Sequence, residues 1–170
     1  PMFAVLSPAK KLDLEPLSAE HSSHLEFTCP SLVNETEKLI SETRKLKAAD
    51  LKKLMKLSEA LAELNYNRFQ EMSLPITEQN GKPAVLTFDG DTYQGLGATS
   101  FSLEDLRYAQ ATLGILSGLY GILRPLDLIQ PYRLEMGTRL KNKRGNNLYS
   151  FWGDRITETI NDYLKESKSS

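Results

Sequence analysis

The residues from Arg124 to Arg139, RPLDLIQPYRLEMGTR, hold the densest set of side chains able to do chemistry in this sequence. Arg124, Arg133 and Arg139 carry fixed positive charge, Asp127 and Glu135 carry carboxylates, and Tyr132 carries a hydroxyl. Pro125 and Pro131 stiffen the path, so less entropy is lost when the arginines are held against a ligand. Guanidinium groups suit planar, two-pronged recognition of phosphate or carboxylate. Two readings stand side by side. In one, the arginines face an external anion. In the other, Asp127 and Glu135 are their internal partners and the ion pairs fix a long loop. The excess of base over acid grows toward Arg139, Lys141, Lys143 and Arg144, so part of this charge is expected to face an anion.

A second basic set lies between residues 44 and 56, where Arg44, Lys45, Lys47, Lys52, Lys53 and Lys56 meet one nearby acid, Asp50. A helix-hairpin-helix module binds phosphates through hairpin amides and a helix N-terminus, with lysines adding charge. Such hairpins carry a glycine between two apolar residues, which LMKLS lacks, and a solvated lysine face over a buried stripe stands as an equal alternative to the phosphate role. In SPAKK, Ser7 and Lys10 have the spacing of a nucleophile and base, but nothing else of that motif is present. Lys10 is better read as an anion contact or as an ordinary loop lysine. GDTYQGLG follows a strand with no evident helix behind it, so a hairpin is expected there and not a dinucleotide loop. One cysteine, Cys29, excludes an internal disulfide, and His21 and His24 as the only histidines leave no zinc cluster. No metal and no cofactor are expected.

These residues must be positioned by a scaffold, and 170 residues fit one domain with a substantial core. MFAVLS reads as a buried strand ending at Ser7-Pro8. From Ser31, a plausible N-cap, Leu32, Val33, Leu39, Ile40 and Leu46 fall at helical spacing. LKAADLKKLMKLSEALAELNYNRF continues as two helices with a break near Met55 to Leu57. NGKPAVLTF predicts a turn and a strand, and SLEDLRYAQATL a helix capped by Ser102 and Asp105 and ended by Gly114. ILSGLYGIL predicts a strand broken by Gly118 and Gly121, and Asn147 caps a final helix carrying Leu148, Phe151, Trp152, Ile156, Ile160, Tyr163 and Leu164 on one face. Strands interleaved with helices imply an α+β domain, a mixed sheet with surrounding helices. No apolar run is long enough to cross a bilayer and the start lacks the marks of a signal peptide, so a cytoplasmic monomer is expected. Net charge is −1, so any nucleic-acid contact must come from local patches.

LSPAKKLD, LMKLSEALAELNYNRF, FDGDTYQGL, LSGLYGILRPLDLIQPYRLEMGTRL and LYSFWGD together resemble, in order, the motifs of the YaaA peroxide-stress protein family. The resemblance spans essentially the whole chain, residues 1–170. It implies a single domain of the fold called cantaloupe-like, a helix-hairpin-helix element at about 46–70 and a positively charged cleft. It further implies binding of duplex or locally unpaired DNA and a role in limiting iron-driven peroxide damage to DNA. Cleft residues carried over by motif are Lys10, Arg68, Tyr93, Arg124, Tyr132, Arg133, Glu135 and Arg139. Family members continue past this helix with further strands and a basic segment, so the C-terminal part of the family fold is expected to be absent here, with weakened binding as a consequence.

Two functions of different class follow. The first is a non-enzymatic DNA-binding stress protein, using Lys47, Lys52, Lys53, Lys56 and the arginines and lysines from Arg124 to Arg144, with Tyr132 or Trp152 able to stack on an unpaired base. The second is an enzyme for a small phosphate- or carboxylate-bearing substrate, with Glu135 or Asp127 as general acid or base, Tyr132 as proton donor and Arg124 with Arg133 as an anion clamp. Direct iron sequestration is disfavoured, since carboxylates at ligand spacing are lacking.

Overall fold

The computed structural model of the chain describes residues 2–169. Its strands are β1 (Ala4–Leu6), β2 (Lys82–Pro83), β3 (Leu113–Ser117), β4 (Gly121–Leu123) and β5 (Leu128–Ile129). Its helices are α1 (Ala19–His24), α2 (Val33–Thr43), α3 (Ala48–Met55), α4 (Glu59–Glu71), α5 (Ala84–Thr87), α6 (Asp91–Leu96), α7 (Leu103–Thr112), α8 (Leu148–Trp152) and α9 (Arg155–Ser169). The mixed α and β architecture expected from the sequence is present. A small mixed sheet in the order β1-β3-β4 and a two-stranded ladder β2-β5 are surrounded by helices, with one core cluster running through them. No helix among the described residues is long and apolar enough to cross a membrane.

β1 pairs in parallel with β3, Ala4 opposite Leu113 and Leu6 opposite Ile115. Expected to be buried, β1 is an edge strand of this sheet and leaves Val5 42% exposed. ILSGLYGIL is not one interrupted strand but a hairpin, with β3 and β4 antiparallel and Ser117 opposite Gly121. The two glycines serve different needs. Gly121 has φ of +79°, and a side chain there would also strike the Trp152 ring. At Gly118 a β-carbon would lie 2.1 Å from the Leu134 carbonyl oxygen, so only glycine lets the segment that follows β5 pass so close. Trp152 Nε1 donates to the Gly118 carbonyl at 2.9 Å, and Thr36 on α2 donates to the Leu119 carbonyl at 2.9 Å, locking two helices onto this turn.

Several helix boundaries differ from expectation for identifiable reasons. Ser31 does not cap α2; Leu32 occupies that position, and the Ser31 hydroxyl meets the Tyr163 hydroxyl at 2.5 Å. α2 stops at Thr43, short of Leu46, and Asp50 accepts from the Lys47 amide at 2.8 Å to start α3. The break at Met55 to Leu57 is where it was expected. Lys56 adopts a left-handed conformation, φ 54°, the Leu57 amide returns to the Lys52 carbonyl, and Ser58 caps α4 by accepting from Leu61. Ser102 and Asp105 form the expected reciprocal cap of α7, but Gly114 lies inside β3 and does not end that helix. The expected strand after Asn80-Gly81 is extended only over Lys82–Pro83; Ala84–Thr87 winds one buried turn whose Ala84 and Val85 amides donate to the Asp127 and Pro125 carbonyls. DGDTYQGL forms α6, not a hairpin, and Asp91 in its first turn disfavours a pyrophosphate at that end. Asn147 caps as expected, accepting from Ser150 at 2.8 Å, but the final helix divides into α8 and α9 at Gly153, where φ is +52°.

Candidate functional site

The basic residues of the helical pair and of the 137–144 segment, distant in sequence, come together. α2, α3 and residues 137–141 enclose a groove of about 920 Å³ lined by Lys45, Lys53, Lys56, Arg139 and Lys141 against two acids, Glu42 and Asp50. A recess of about 300 Å³ shares Glu42 and Lys45 with it and adds Lys38, Lys143 and Arg144. Eight basic residues thus face two acidic ones along this surface, in a chain whose net charge is −1. Both acids are occupied: Glu42 pairs with Lys45 at 2.8 Å, and Asp50 caps α3. Lys53, Lys56, Arg139, Lys141 and Lys143 carry no ion pair among the described residues. Unlike these, Arg144 is committed. It pairs with Glu35, donates to the Phe151 carbonyl at 3.1 Å and lies 4.5 Å from the Phe151 ring centroid. Lys38 was not among the expected contacts, although Lys38 and Glu42 lie four apart on one face of α2, with Lys45 in the turn that follows.

The preceding residues of the same segment line a different and smaller space. Lys10, Tyr132, Arg133 and Glu135, walled by Pro8 and Ala9, surround a pocket of about 200 Å³. Lys10 reaches it because its loop is zipped to the residues after α5, with Asp89 donating to the Lys11 carbonyl and Asp13 to the Thr87 carbonyl. Lys10 Nζ and an Arg133 terminal nitrogen each lie 3.5 Å from the same oxygen, Glu135 Oε1. Arg133 Nε is buried and has no hydrogen-bond partner among the described residues. Tyr132 lines the pocket, but its hydroxyl is bonded to Ser117 Oγ at 2.6 Å, and burial holds it protonated far above the usual phenol range.

Arg124 does not join this group. Its amide and Nε bind Asp127, a terminal nitrogen donates to the Cys29 carbonyl, and the guanidinium lies 5.3 Å from the Tyr163 ring centroid. Asp127 is fully buried and also accepts from the Thr28 hydroxyl at 2.6 Å. Burial pushes its carboxyl above the usual range in spite of Arg124 beside it. For Arg124 and Asp127 the internal ion pair is therefore the arrangement present. Tyr93 is likewise buried, its hydroxyl donating to the Ser7 carbonyl at 2.5 Å. Lys52 pairs with Glu59 at 3.2 Å, and neither it nor Lys47 lines the groove. Arg68 is half-buried on α4, and burial lowers its pKa. Trp152, 2% exposed, and Tyr132, 5% exposed, present no free ring face to a base.

Residues 2–169 match the model of a family described as peroxide stress protein YaaA. A UPF0246 protein of Dechloromonas aromatica is 54% identical over 163 residues, covering 96% of this chain and 62% of that protein. One from Burkholderia multivorans is 50% identical over 169 residues, 99% of this chain and 64% of its own length. A UPF0246 protein of Colwellia psychrerythraea is 51% identical over 166 residues, with shares of 97% and 63%. The chain thus spans less than two thirds of the length of these curated relatives.

Proposed function

As the chain belongs to the peroxide stress protein YaaA family, we propose that it binds DNA through the basic groove and, in the cytoplasm, limits iron-dependent oxidative damage to that DNA. The observation that carries this reading is the eight-to-two excess of basic residues along one surface of a chain with net charge −1. Phosphate contacts supply most of the affinity in sequence-independent binding, and lysines without internal partners are free to make them. The α3–α4 pair serves as the helix-hairpin-helix element. Lys56 adopts the left-handed backbone that such a hairpin ordinarily assigns to glycine, between Met55 and Leu57, and it also lines the groove. For an unpaired base, Tyr149 offers an exposed ring: it is 67% exposed on α8, the helix whose Phe151 lines the adjoining recess.

Titration of this chain against fluorescent duplex and bubble DNA at rising salt tests the reading. Binding that weakens steeply with salt is expected; salt-independent or undetectable binding contradicts it.

A further inference from the structure

We propose that the pocket between Lys10 and Arg133 is a second binding site, specific for a phosphate monoester, and that Glu135 occupies it as an internal stand-in which the ligand displaces. Three features converge. Two cations point at one carboxylate oxygen, each from 3.5 Å, longer than a well-formed charge-assisted hydrogen bond. That carboxylate belongs to a side chain 49% exposed, with no further partner among the described residues, so solvent is open to it when it leaves. Arg133, by contrast, is held with its side chain 18% exposed, and its Nε is a buried donor without an acceptor. Nε and a terminal nitrogen together form the fork with which guanidinium grips an oxyanion from the side. A phosphate bound there satisfies the Nε donor that Glu135 leaves unmet.

Charge selects the ligand class. With Glu135 displaced, Lys10 and Arg133 present two positive charges, which a dianionic phosphate monoester balances and a monocarboxylate does not. Size limits the remainder: about 200 Å³ is below the roughly 300–1,000 Å³ of sites for drug-sized ligands, so the ligand is a phosphate on a small body or the terminus of a larger one. The chain passes from this pocket at Glu135 to the groove at Gly137, so the 5′-phosphate end of a strand lying in the groove is a source of the same chemistry as a free metabolite.

Nuclear magnetic resonance titration with inorganic phosphate and with glycerol 3-phosphate decides the matter. Saturable shifts are expected at the amides of Ala9, Lys10 and Arg133. Glu135→Gln, which removes the competing charge, should tighten phosphate binding about tenfold, whereas Lys10→Gln and Arg133→Gln should each weaken it at least tenfold. Lys141→Gln, in the groove, should leave phosphate binding unchanged. A short duplex that binds more tightly with a 5′-phosphate than with a 5′-hydroxyl identifies a strand end as the source; equal binding of the two, with glycerol 3-phosphate retained, identifies a free small molecule. Shifts absent from the pocket, or phosphate affinity indifferent to both Glu135→Gln and Lys10→Gln, would overturn the proposal. Failure of the site would leave duplex binding in the groove intact, and failure of the groove would leave the phosphate titration intact.

Discussion

At the scale of single residues, basic side chains of this protein divide into those held by internal partners and those left to face solvent. Arg144 and Arg124 are held. Glu35 anchors Arg144 to α2, and although burial works to raise the Glu35 carboxyl, the Arg144 hydrogen bond and Lys38 outweigh it and keep the carboxyl below its ordinary value. A carboxylate with a depressed folded-state pKa stabilises the fold above its unfolded pKa and ceases to do so as pH falls through the folded value. Glu35→Gln should therefore cost about 1–2 kcal/mol near neutral pH in denaturant unfolding, with the difference shrinking as pH falls below the ordinary glutamate range. Tyr149 belongs with the uncommitted residues. Its change to Ala should weaken bubble DNA roughly tenfold, through lost stacking, while leaving duplex binding nearly untouched, as anisotropy titrations can show.

At the scale of elements, the α3–α4 hairpin and the β3–β4 hairpin support the two proposed sites, and each depends on one backbone position. Lys56 is the described non-glycine residue with positive φ, a conformation costing an L-residue roughly 1–2 kcal/mol. Lys56→Gly should raise stability by about 0.5–1 kcal/mol in thermal melts while weakening DNA binding by one phosphate contact, so the two effects separate. Gly118→Ala should do the reverse, costing about 3 kcal/mol in urea unfolding, because the obstructing atom is the Leu134 backbone carbonyl of the pocket segment. Much of this scaffold is legible in the sequence: side-chain caps at Ser58, Ser102 and Asn147 act locally and are found where local rules put them. Tertiary pairing is less legible. PAVLTF satisfies strand and buried-helix patterns equally, and only the Asp127 and Pro125 carbonyls across the core select the helical turn. The same holds for the site. Residue types flagged Lys53, Lys56, Arg139 and Lys141 as anion contacts, but nothing local separates Arg133, which keeps a free donor, from Arg124, which is bound to Asp127, Cys29 and Tyr163.

At the scale of the whole molecule, function rests on where charge sits and not on how much there is. Acids and bases nearly cancel over the chain, yet the groove gathers bases from the turn after α2, from α3 and its C-terminal cap and from the 137–141 segment, so positive charge is concentrated along this surface. Membership of the peroxide stress protein YaaA family supplies the setting, and the proposed DNA binding rests on the groove. The most direct measurement is the slope of log K against log salt for a duplex, compared between the unaltered chain and Lys53→Gln/Lys56→Gln/Arg139→Gln/Lys141→Gln, with circular dichroism confirming that both are folded. If the groove holds the DNA backbone, the slope should become shallower by about 0.9 for each phosphate contact removed, roughly three to four in all, with a corresponding loss of affinity at low salt. An unchanged slope and affinity in the folded quadruple variant would contradict binding through the groove.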